Sequence, residues 1–143
     1  MVRTARHSLL ASAWFAAWAL GAASLLFLVP AARRGADAIV LFIVLPTLAG
    51  ACAGAVCGWR ILARARQMRA ARAALLGLVT TGVAHAIFSV LFVLVYSVLG
   101  TSEIRLGPAT AATFVLGSLA AGALLAPVGV LSGLVARSIF SRR

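Results

Sequence analysis

The sequence predicts an all-α membrane protein with four transmembrane helices and both termini on the cytoplasmic side. Three observations carry that prediction. The chain of 143 residues is 64% hydrophobic and only 10% charged, with a mean hydropathy of +1.12. Its apolar residues lie in four long continuous runs. Its arginines gather at the ends of those runs. Soluble domains carry about 25% charged residues, and a chain this short could not hide so much apolar surface in one aqueous core. Disorder is excluded as well, since it requires low hydrophobicity.

The first span, residues 8–30, reads SLLASAWFAAWALGAASLLFLVP. The second covers 38–62 with Pro46 inside it, the third 73–99, and the fourth 108–136 with Pro127 inside it. Each exceeds the ~20 residues needed to cross ~30 Å of hydrocarbon at ~1.5 Å per residue. Only helices or closed barrels satisfy the backbone in lipid, and continuous apolar runs favour helices. The basic start of the first span has the look of a signal peptide. Its apolar run is longer than the ~7–15 residues of a signal core, so an uncleaved helix is expected. Residues 33–37 and 101–107 read as short loops, and RILARARQMRAAR, Arg60 to Arg72, as two helix ends with a tight turn. The whole chain, 1–143, thus reads as one membrane domain. Spans rich in large residues alternate with spans rich in Gly and Ala. That order suggests a duplicated helical hairpin, its halves related by an axis along the membrane normal.

The net charge of +11 would suggest nucleic acid in a soluble protein. Here the charge sits where topology needs it, so no nucleic-acid partner is expected. Arg3, Arg6, Arg60, Arg64, Arg66, Arg69, Arg72, Arg137, Arg142 and Arg143 fall on one side of a four-span topology. The other side has Arg33, Arg34 and Arg105 with the two acids, Asp37 and Glu103. Ten against three places both termini in the cytoplasm by the positive-inside rule. The reading is a multi-pass protein of a bacterial inner membrane. Arg60, Arg64, Arg66, Arg69 and Arg72 could also hold anionic lipid headgroups. All thirteen basic residues are arginine, as a GC-rich coding bias would produce.

The stretch GACAGAVCG in the second span carries Gly50, Gly54 and Gly58 at intervals of four. On a helix they fall near one face and leave a groove that a neighbouring helix can enter closely. The fourth span repeats the device with Gly122, Ala126, Gly129 and Gly133. Cys52 and Cys57 stand five apart, roughly 140° around an α-helix, so they neither share a metal nor bridge to each other. They read as small apolar filler, and no metal or cofactor is expected.

His85 lies near the middle of the third span, where an ionisable group is a functional candidate by default. Thr81, His85, Ser89, Phe92 and Tyr96 follow one helical stripe. The stripe could face a ligand path, or it could supply hydrogen bonds between helices. No acid, lysine or arginine lies in the membrane interior to partner the histidine, since Arg60 stands at the cytoplasmic end of its span. Pro46 and Pro127 should bend their helices. Trp14, Trp18 and Trp59 suit membrane interfaces.

No phosphate loop, zinc-ligand spacing or carboxylate pair is present, so an enzyme is not expected. In size the four spans resemble the small multidrug transporters. That family relies on a glutamate embedded in its first span, and residues 8–30 contain no acid. Three functions remain as expectations. The first is an accessory or assembly subunit of a membrane complex, or a homo-oligomer, acting through its glycine faces. The second is a small transporter or channel centred on His85. The third is a membrane-embedded immunity or phage-type lysis protein.

Overall fold

The computed structural model describes residues 2–99 and 106–142, and these are helical apart from two turns. Helix α1 is Val2–Arg34, α2 is Ala36–Ala63, α3 is Ala70–Leu99 and α4 is Leu106–Ser141. Each contains a stretch long and apolar enough to cross a membrane. The chain is a multi-pass membrane protein by that measure. Residues 101–105 of the predicted loop, with Glu103 and Arg105, lie outside the described residues, as does Arg143.

Packing is inverted relative to a soluble protein. The residues with no exposure include Ala11, Ala49, Ala53, Ala73, Ala136, Thr80 and Ser89. Leu25 is 89% exposed, Val98 83% and Leu119 76%. Large side chains face outward because lipid solvates them as well as a core would, while small residues bring backbones together.

Helix α1 passes through Pro30 and ends at Arg34, four residues beyond the predicted span. The fixed φ of proline suits a helix, and only one backbone hydrogen bond is lost. Arg33 and Arg34 occupy the last turn, where cations favour the helix dipole. The loop expected at 33–37 shrinks to Gly35, at φ +102 and ψ −174. Only glycine adopts that conformation readily, so one residue turns the chain from α1 into α2.

Helix α2 contains two wider, π-helical turns, Val40–Val44 and Gly54–Gly58. The first has a physical cause. A proline ring clashes with the carbonyl four residues back, and Pro46 stands two residues beyond this turn, with Phe42 inside it four residues back. There the Leu45 N–H bonds to the Val40 carbonyl, five residues back. The wider turn accommodates the ring, and the Thr47 hydroxyl donates to the Ile43 carbonyl at 2.7 Å.

The α2–α3 turn buries Ala65 and Met68 and leaves its arginines exposed. Arg137 of α4 donates from Nε to the Met68 carbonyl at 2.6 Å, pinning the turn to the last helix. This turn, the start of α1 and the end of α4 share one end of the bundle, the basic end. Around the bundle the order is α1–α2–α3–α4, each packed on the next, and the backbones of α1 and α3 do not approach closely among the described residues. Helices α1 and α4 meet near the basic end through Ala11, Phe15 and Ala136, with Ile61 and Leu62 of α2 completing that cluster. Elsewhere α1 and α4 approach each other little.

Candidate functional site

Beyond the α1–α4 contact lies a cleft of about 380 Å³ lined by all four helices. Its floor begins at Phe15 and Ser132, and its far end reaches Phe27, Phe42 and Phe92. The wall is apolar except for the Trp18 indole N–H and the side chains of Thr81, His85, Thr113 and Ser132. That volume and character suit a small-molecule site.

The glycines explain why the walls stand so close. A Cβ on Gly54 would lie 2.5 Å from the Ala11 carbonyl oxygen, and one on Gly50 would lie 2.7 Å from the Ala19 Cβ. A Cβ on Gly58 would lie 2.5 Å from the Phe15 ring. All three glycines therefore face α1 of the same chain. In an α-helix, every fourth residue drifts by about 40° around the axis. The wider π turn from Gly54 to Gly58 drifts the other way, which keeps the third glycine on the α1 face. Gly129 and Gly133 pack on α3, against Leu78, Thr81, Ala73 and Gly77. Gly77, which the spacing analysis did not single out, meets the Gly129 carbonyl and the Gly133 backbone. The other glycine of its helix, Gly82, is five residues on and meets nothing within 4 Å, so Gly77 is recognisable only from its partners.

Gly122 corrects the expected pattern. A Cβ there would meet nothing within 4 Å, so it is not a close-approach position within this chain. The α3–α4 contact uses Gly129 and Gly133, two turns and more further on, where Gly77 lies opposite.

The predicted stripe on α3 divides. Thr81, His85 and Phe92 line the cleft. Ser89 is fully buried and donates to the His85 carbonyl at 2.9 Å, within its own helix. Tyr96 is 49% exposed and stacks on Phe92 with ring centroids 6.0 Å apart. His85 reaches α4, where its Nε2 lies 3.2 Å from the Phe114 carbonyl oxygen. Gly117 makes this contact feasible, since a Cβ there would stand 2.8 Å from the imidazole Cε1. Gly117 was missed because its role depends on a ring from another helix.

A belt of aromatic rings crosses the cleft. Phe27 stacks on Phe42 at 5.5 Å, and Phe42 meets Phe92 at 6.1 Å. Phe92 meets Phe88 at 5.6 Å, and the His85 ring lies between Phe88 and Phe114 at 6.3 and 5.2 Å. Rings from all four helices take part. Where α1 and α4 meet, Trp14 donates its indole N–H to the Ser132 carbonyl at 3.2 Å and meets Phe140 edge-on at 6.2 Å. Trp14, expected at an interface, thus latches α1 to α4.

The remaining candidates lie away from the cleft. Arg60, Arg64, Arg66, Arg69 and Arg72 are all exposed at the basic end, and the Arg60 guanidinium sits 5.9 Å from the Trp59 ring centroid. Cys52 is exposed and Cys57 half-buried. No group of three metal-binding side chains gathers among the described residues. Every buried side-chain polar atom among them has a hydrogen-bond partner. No protein-family model matches this chain, and no curated protein or solved structure shows a match to it.

Proposed function

We propose that this protein binds a lipid-soluble small molecule in the α1–α4 cleft, as the core of a small membrane carrier. The observation that carries this reading is a 380 Å³ apolar cleft, lined by every helix, beside a stretch where α1 and α4 approach each other little. A ligand entering between those two helices would arrive from the membrane. A channel for ions is disfavoured by the wall, which has no charged side chain among the described residues. Gly50, Gly54, Gly58, Gly129 and Gly133 lend the assembly-subunit reading less support, because this chain's own helices occupy them, whereas Gly122 has no neighbour within the chain.

The arginine bias supports an inner-membrane topology with both termini cytoplasmic. The five exposed arginines of the α2–α3 turn then meet the anionic leaflet. A duplicated hairpin origin is supported by α2 and α4, which both carry the close-packing glycines of their hairpins.

The test uses purified protein in nanodiscs titrated with the lipophilic fluorophore N-phenyl-1-naphthylamine. Saturable binding, lost when Ala84→Trp fills the cleft, is the expected result. A signal that rises without saturation and matches empty nanodiscs would overturn the reading.

A further inference from the structure

The tautomer of His85 is fixed by its neighbour. A carbonyl oxygen can only accept, so the contact with Phe114 requires the hydrogen on Nε2. Nδ1 is then a bare acceptor. It has no partner among the described residues, and it is not sealed from its surroundings. One lining hydroxyl close to His85 leans the same way. Thr113 donates to the Ala109 carbonyl at 2.9 Å, so its only hydrogen is engaged and it can offer only lone pairs. Around His85 the wall therefore accepts hydrogen bonds. Thr81, one turn away, keeps a hydroxyl that can donate.

A ligand that only accepts, such as an ether or a ketone, leaves the Nδ1 lone pair unmatched. A cation finds no carboxylate on the wall, and an anion finds no arginine or lysine. A neutral hydroxyl donates to Nδ1 and can accept in return. The surrounding surface is aromatic, with Phe88, Phe92 and Phe42 forming a continuous run of rings beside His85. Flat rings pack well on such a surface. An apolar tail would extend into lipid between α1 and α4, where the two helices approach each other little.

We infer that the cleft takes a neutral phenol carrying an apolar tail, its O–H donating to His85 Nδ1 and its ring lying along the phenylalanine belt. This inference rests on the cleft being a binding site, as proposed above.

The experiment compares 4-octylphenol with 4-octylanisole, which differ only in the hydroxyl hydrogen and its methyl replacement. Each displaces N-phenyl-1-naphthylamine from the protein in nanodiscs, at matched concentration in the membrane. The phenol should bind about tenfold more tightly, the value of one good hydrogen bond. His85→Phe should abolish that preference while the anisole still binds. His85→Gln, whose amide can donate to Phe114 and accept from the ligand, should restore part of it and guards against a misfolded variant. Equal affinities in the unmodified protein, or a preference that survives His85→Phe, overturn the phenol assignment and leave the cleft standing. Absence of saturable binding by either probe overturns both.

Discussion

Gly35 shows how much one residue can decide. Its φ of +102 lies where a side chain is strained, yet a Cβ there would meet nothing within 4 Å. Any cost of substitution is therefore conformational rather than steric. Gly35→Ala should destabilise the protein by about 1–3 kcal/mol, measured as a lower midpoint in SDS-induced unfolding. Gly21 is the internal control. A Cβ there also meets nothing within 4 Å, but the residue lies within α1. Gly21→Ala should be neutral or stabilising by up to about 1 kcal/mol. Equal effects at the two positions would show that backbone conformation is not what Gly35 contributes. The sequence marked this region only as a short loop. That the loop is one residue long follows from Pro30 being tolerated in α1, which the residue string does not announce.

Among the elements, α1, α3 and α4 follow from hydrophobic runs alone, because lipid leaves a backbone few alternatives. Helix α2 was legible as a span but not as a path. Its two π turns alter which side chains share a face, and only Pro46 gave any hint of the first. The glycine spacing pointed to close packing without naming the neighbour, since spacing describes one helix and packing involves two. The structure supplies α1 as that neighbour, so the expected consequence of disruption changes. Gly54→Leu should part α1 from α2 within a single chain, where even a Cβ stands 2.5 Å from the Ala11 carbonyl. A loss at or above about 1–3 kcal/mol is expected, seen as earlier thermal unfolding in detergent. The oligomer mass by native mass spectrometry should not change; a loss of mass without a loss of stability would return the glycine face to an assembly role. Gly77→Val should behave alike at the α3–α4 contact, because Gly129 and Gly133 leave it no room.

At the scale of the whole molecule, arginine placement makes the topology testable. A fluorescent-protein fusion at the C-terminus should glow in the cytoplasm, and an alkaline phosphatase fusion there should be inactive. The reverse pattern would mean that Arg60 to Arg72 face outward. The cleft itself was not legible in the sequence. His85 could be singled out as unusual in lipid, but its tautomer depends on Phe114, and its room depends on Gly117. Both lie on a helix about thirty positions away, and no periodicity within one span relates them. The separation of α1 from α4 is likewise a property of the assembled ring.

The contact between α1 and α4 also bears on synthesis. The first helix leaves the ribosome long before the last, and the two are held together by the Trp14–Ser132 latch and the contacts beside it. The cleft is thus fastened only after Ser132 has been made. A translation product stopped short of Ser132 would insert most of its helices and still leave its first and last unfastened.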